Sequence, residues 1–205
     1  LGAGVVTITA GAGVTLTGTV TVAQYASATL TRTGSNAWTI SGNAAPAGMD
    51  LISSASLSGA SVLVTGCFSA TYANYYVVID AILSAGNDIY VRLLNGSTPV
   101  STSNYAWQML RANNTTLVGF QTAVDTKWNL TTNSTSDSPV ATMTLFKPFI
   151  ATPTKGLINS AHGGLEVLMQ GLSHPASTSY DGVQFLPQSG TFTSGTARIY
   201  GLKNS

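Results

Sequence analysis

From Val14 the chain alternates with a period of two, Val14, Leu16, Val20 and Val22 falling on one side and Thr15, Thr17, Thr19 and Thr21 on the other. Successive side chains of a strand point to opposite faces, so this run predicts β-structure with one lightly apolar face and one face of hydroxyls. Thr29, Thr31 and Thr33 repeat the pattern around Ala28 and Leu30, and Gly34-Ser35-Asn36 supplies a turn before Trp38 and Ile40. The run is preceded by a short internal repeat, Gly2-Ala3-Gly4-Val5 returning as Gly11-Ala12-Gly13-Val14. Calcium-binding nonapeptide repeats carry an Asp in each copy, and no Asp precedes Asp50, so the repeat is structural.

Asn43 to Ala55 mixes Ala, Pro46 and Gly48 with little alternation and reads as a linker, centred on 46–55. Beyond it the pattern predicts strands at short spacing: Tyr75 to Leu83, Ile89 to Leu94, Tyr105 to Arg111, Leu117 to Val124, Lys127 to Thr132, Ala141 to Phe146, Leu165 to Leu172, Val183 to Leu186 and Thr196 to Leu202. Tyr75 to Leu83 is apolar on both faces apart from Asp80, as expected of a strand inside a sandwich. Gly86-Asn87-Asp88 and Asn95-Gly96 are turn signals, the second the stronger. No stretch sustains a helical apolar period beyond about two turns. The class is all-β: a short Thr-rich N-terminal β segment over 1–45 followed by a jelly-roll-like β-sandwich over 56–205.

Composition sharpens this reading. Asp, Glu, Lys and Arg make up 7% of the 205 residues, against roughly a quarter in ordinary soluble domains, and they nearly cancel to a formal +1. There is no basic field to follow a phosphate backbone, so nucleic acid is not an expected partner. Hydroxyls stand in for charge, with 29 Thr and 23 Ser, and the scarcity is greatest in the first 45 residues, where Arg32 is the one charge. A neutral, hydroxyl-covered strand can be shared between subunits without burying unpaired ions, and the reading expects assembly there. No apolar run approaches the roughly 20 residues that span a bilayer, so membrane insertion is not expected. Leu1 stands where a starting Met would, which points to cleavage or to a fragment of a longer polypeptide. Cys67 is the single cysteine and, beside Val64 and Phe68, reads as a small buried hydrophobe.

Candidate chemistry is thin. Asp80, Asp88, Asp125, Asp137, Glu166 and Asp181 are the acids that could form a glycosidase pair, and no spacing joins any two of them. Asp88 and Asp181 sit in turn contexts. Asp80 lies in an apolar strand and needs a partner, and Arg92 on the adjacent expected strand is the candidate for a structural ion pair. His162 and His174 read as loop residues with no Cys or Asp cluster around them, so no metal and no cofactor is expected. No Gly-x-Ser-x-Gly elbow or Walker loop is present, and an enzyme is disfavoured. Of the aromatics that could stack on sugar rings, Tyr105 and Tyr180 each follow a polar turn-like segment. With Asn87, Asp88 and Asp181 they form the candidate glycan contacts, although large aromatics also dominate cores and interfaces.

Two stretches resemble known proteins. GVTLTGTVTVAQYASATLTRTGSNAWTISG, from Gly13 to Gly42, resembles a module of structural proteins of tailed bacteriophages. YDGVQFLPQSGTFTSGTARIYGLKN, from Tyr180 to Asn204, with YYVVIDAILSAGNDIYVRLLNGSTP, from Tyr75 to Pro99, is similar to the β-sandwich domain that ends many such chains. Together they cover less than half of the chain, and their hallmark positions are framework residues such as Trp38, Arg92, Gly182, Phe185 and Gly201. The resemblance implies a non-enzymatic virion surface protein, homotrimeric, in contact with other virion proteins and with host-surface glycan as a fibre-type adhesin. A capsid decoration or cement protein is the first alternative and a tail-associated glycan hydrolase the second.

Overall fold

In a computed structural model the chain is all-β, with no helix among the described residues, which are 6–18, 21–22, 29–41, 48–134, 139–162 and 166–203. It divides into two compact units, Leu1–Gly48 and Met49–Ser205.

The first unit holds β1 (Val6–Thr7), β2 (Thr15–Gly18), β3 (Thr21–Val22), β4 (Thr29–Arg32) and β5 (Ala37–Ser41). β1 pairs with β3, and β2, β5 and β4 form a three-stranded sheet in which β2 runs parallel to β5. The turn between β4 and β5 falls at Gly34-Ser35-Asn36 as its sequence predicts, and the Arg32 guanidinium donates to the carbonyls of Gly34 at 2.9 Å and Ser35 at 3.0 Å. Ile40 is the one fully buried apolar side chain among the described residues of this unit. Thr at every second position leaves these strands little to bury.

The second unit contains β6 (Met49–Ser56), β7 (Val62–Val64), β8 (Asn74–Leu83), β9 (Asn87–Asn95), β10 (Thr98–Pro99), β11 (Tyr105–Asn113) and β12 (Thr116–Asp125). These are followed by β13 (Trp128–Ser134), β14 (Val140–Phe146), β15 (Thr154–His162), β16 (Glu166–His174), β17 (Gly182–Pro187) and β18 (Phe192–Leu202). Eight strands form an antiparallel sheet in the order β12-β11-β16-β15-β14-β8-β18-β6. Five form a second, in the order β10-β9-β17-β7 with β13 also on β9. The core lies between them: Tyr75, Val77, Ile79 and Ala81 of β8, Met143 and Leu145 of β14 and Ile199 of β18 pack with Ile89, Val91 and Leu93 of β9 and Val183 and Phe185 of β17. The β-sandwich expected from the alternation is therefore present. Gly96 follows β9 in the left-handed region, φ 63°, where a side chain would be strained, which is why Asn95-Gly96 is so strong a turn signal.

Three expectations change. The linker expected over 46–55 is largely strand: β6 starts at Met49 and pairs along its length with β18, its low apolar content reflecting an edge position with one neighbour. Residues 42–47 lie outside the described residues. β15 escaped the alternation test because its inward positions are Thr154, Gly156, Ile158 and Ser160, mostly small or polar. A side chain at Gly156 would stand 2.8 Å from the Thr144 carbonyl and 3.1 Å from methyls of Leu145 and Leu172, so neighbouring leucines fill that place. Both histidines expected in loops close strands, His162 ending β15 and His174 ending β16.

Candidate functional site

The expected glycan contacts do not form a site. Tyr105 is fully buried, its hydroxyl donating to the Val100 carbonyl at 2.9 Å and accepting from the Leu93 amide at 3.0 Å. Its ring meets Trp128 edge-on at 5.0 Å and His174 at 4.6 Å between centroids. Tyr180 is buried against His174 at 5.2 Å, and its hydroxyl lies 3.1 Å from His174 Nδ1. Trp128 Nε1 completes the group by donating to the Ser173 carbonyl. Burial holds His174 below its ordinary pKa and pushes the Tyr105 and Tyr180 phenols up, so the cluster is neutral. The polar turns before the two tyrosines had suggested exposure. Instead each turn folds the chain back so that the ring enters the core, where the Tyr105 hydroxyl closes backbone bonds and the Tyr180 hydroxyl meets His174 Nδ1.

Among the described residues the acidic candidates are spread over both sheets, although Asp88 and Asp125 both lie beside Tyr90, Asp125 paired with Lys127 at 3.6 Å; Asp137 lies outside the described residues. Asp88 accepts from Asn129 Nδ2 at 3.0 Å, and its carbonyl accepts from the Gln188 amide at one end of β9. Asp181 donates its amide to the Leu94 carbonyl at the other end and accepts at its own carbonyl from the Phe68 amide. Six residue steps along β9, about 20 Å, separate the two positions. Asn87 opens β9 opposite Ser134. Asp80 and Arg92 do not pair: Asp80 is exposed on the outward face of the eight-stranded sheet, whereas Arg92 lies on the other sheet and donates Nε to the Thr126 carbonyl at 3.0 Å. The expectation failed because β8 and β9, consecutive in sequence, belong to opposite sheets. Glu166 is held by Arg111, Nε to Oε1 at 2.7 Å and Nη2 to Oε2 at 2.9 Å, with Asn113 Nδ2 at 3.2 Å. Among the described residues no group of three or more His, Cys, Asp or Glu side chains is placed to hold a metal. Cys67 is buried, its thiol bonded to the Val64 carbonyl and pushed up to about 12 by burial.

What the structure does present is a surface. On the outward face of β12, β11, β16, β15 and β14 stand Leu117, Leu110, Val167, Met169, Leu157 and Val140, all exposed, Leu117 at 67%, Met169 at 63% and Leu157 at 53%. Registration brings them together, since Leu110 lies opposite Gly119 on one side and Met169 on the other, and Gly171 lies between Gln108 and Leu157. Gly171 leaves open space where a Cβ would stand, and two adjoining hollows of about 650 and 410 Å³ share Gln108, Leu157 and Gly171. The alternation marks β11, β12, β14 and β16 as strands and leaves β15 out, and it carries no sign that the apolar residues on this second face stay uncovered. The signal was present in β16, where Val167 and Met169 are apolar in a strand whose alternate positions already serve the core.

No family model and no curated protein matches the chain. Among solved structures it is similar to CG-16, a homodimeric agglutinin from chicken liver, with a TM-score of 0.32 and 11% identity, covering 68% of this chain and 98% of that one. A likeness of that size carries no argument about function.

Proposed function

We propose that this chain is a non-enzymatic structural protein of a bacteriophage virion surface, one that works by assembling with its own copies, as a homotrimer, and with other virion proteins. The observation that carries the reading is the exposed apolar outward face of the eight-stranded sheet in a chain with so little charge. Monomers rarely leave contiguous apolar patches of more than a few hundred Å² in water unless another surface covers them. The resemblance of the Gly13–Gly42 and C-terminal segments to phage structural proteins supports the virion as the setting. Within it, burial of Tyr105 and Tyr180 removes the aromatic platform on which the adhesin reading leaned, and this favours a shell-contact role of the decoration type over direct glycan binding.

Location tests the proposal. Antibody label or cryo-EM density over the head supports a decoration role, density confined to the tail supports the fibre role, and absence from purified particles removes both. The glycan-hydrolase alternative predicts reducing ends released from host polysaccharide and lost in Asp80→Asn or Asp88→Asn. No release at high protein concentration from several polysaccharides disposes of it.

A further inference from the structure

Resting on the assembly reading above, we infer that copies join through the outward face of the eight-stranded sheet at its β12 end, with a second copy of this chain as occupant. Three observations converge on that place. The first is charge. Of the outward positions on β12, β11, β16, β15 and β14, Lys155 is the one charged residue among those described, and its ammonium is occupied by Ser173 Oγ at 2.9 Å. A face that meets its own copy must tolerate each of its charges near a like charge, and a neutral face meets that condition at no cost. A charged partner would find nothing to pair with. A glycan would want an exposed ring beside the hollow, and the outward positions of the five strands hold one aromatic residue among those described, Phe146 on β14, opposite Lys155 and two strands from Gly171.

The second observation is shape. The hollow at Gly171 is bordered by Leu157, Met169 and Leu110, so projections and a cavity of side-chain size stand on one face, which can interdigitate with a copy of itself. The third is the edge. β12 ends the sheet with one neighbour, and it carries exposed apolar side chains on both sides: Leu117 outward, Val118 and Phe120 on the side that faces the core elsewhere in the sheet. Its ten residues carry no Lys, Arg or Pro of the kind that protects free edges, and Asp125 is its one charge, at the last position.

The area is sufficient. Five strands at about 4.8 Å spacing and about seven residues at about 3.3 Å rise give a projected face of roughly 550 Å². Side-chain relief and the β12 edge bring this toward the ~800 Å² per partner of a stable interface.

The test is sedimentation velocity of the full chain at micromolar concentration beside two variants. Leu157→Lys with Met169→Lys places two ammonium groups on the face at positions already more than half exposed, and Gly171→Leu fills the hollow without adding charge. Circular dichroism with a cooperative thermal transition establishes that each variant is folded. The expected result is that wild type sediments as an assembly of two or more 21.0 kDa chains while both variants dissociate, their association weakened about 100-fold or more. If wild type assembles and both folded variants assemble equally well, the interface lies elsewhere and the inference falls while the assembly reading stands. A wild type that remains a monomer overturns both. Glycan-array binding abolished by Gly171→Leu with assembly unchanged would replace the second copy by a sugar and overturn the inference.

Discussion

Tyr105→Phe separates a core role from a ligand-contact role. The substitution keeps the ring and its contacts with Trp128 and His174 and removes one oxygen, which accepts from the Leu93 amide at 3.0 Å and donates to the Val100 carbonyl at 2.9 Å. The ring is fully buried, so water cannot replace the hydroxyl without opening the sandwich. The Val100 amide bonds to the Leu93 carbonyl, so the Tyr105 hydroxyl is the second tie across the same turn. A buried group left without its partner costs about 1–3 kcal/mol. With an amide losing its acceptor and a carbonyl losing one donor, the expected loss is about 2–4 kcal/mol. For a unit of this size each kcal/mol corresponds to about 2–4 °C in melting temperature, so a fall of roughly 5–15 °C is expected. Urea titration followed by tryptophan fluorescence reads this as a lower midpoint at constant slope. A variant within about 0.5 kcal/mol of wild type would refute the assignment of the hydroxyl to the core and return Tyr105 to the list of surface candidates.

Four further outcomes are expected. His174 has its pKa lowered by burial, so the folded state resists its protonation. Stability is then complete above the unfolded value of about 6.5 and falls as pH drops through 6.5 toward the lower folded value, and the urea midpoint should decline between pH 7.5 and 5.5 in wild type but much less in His174→Gln. Arg111→Met removes the bidentate partner of the buried Glu166 carboxylate and should cost about 2–4 kcal/mol in the same titration, whereas a surface pair would cost under about 1. Gly195→Ala places a Cβ 2.3 Å from the Asp80 carbonyl at φ 141°, and a loss of about 2–4 kcal/mol or failure to fold should follow, read by circular dichroism. Cys67, its thiol pushed up to about 12, should resist iodoacetamide at pH 8 in the native protein and react on unfolding, as followed by mass spectrometry.

Much of the second unit was legible because its strands obey the period-two rule. The inward residues of β8 are Tyr75, Val77, Ile79, Ala81 and Leu83, an unbroken odd series, and Asn95-Gly96 turns the chain where its dihedral requirement says it must. β15 was illegible for a packing reason: Leu145 and Leu172 from the strands on either side fill the space above Gly156, so the strand contributes little apolar bulk of its own. The candidate site was misread for a related reason. A polar turn before a tyrosine signals a surface bend, yet both Tyr105 and Tyr180 point from the end of such a bend into the core, where His174 arrives from β16 about 70 residues after Tyr105.

Alternation of Thr with Val and Leu, the absence of helical periodicity and the small charge count by themselves determine an all-β chain with a buried Cys67 and a surface that depends on hydroxyls. Those are local properties, carried by neighbours in sequence. Which sheet each strand joins is decided by tertiary structure alone, because pairing partners such as β8 with β18 or β11 with β16 are tens of residues or more apart and compete on the energy of the whole core. That choice puts Asp80 and Arg92 on opposite sheets. It also covers one apolar face of β16 and leaves Val167, Met169 and Leu157 beside it in the open. A period of two says that a strand has two faces; only the second layer decides which of them meets water.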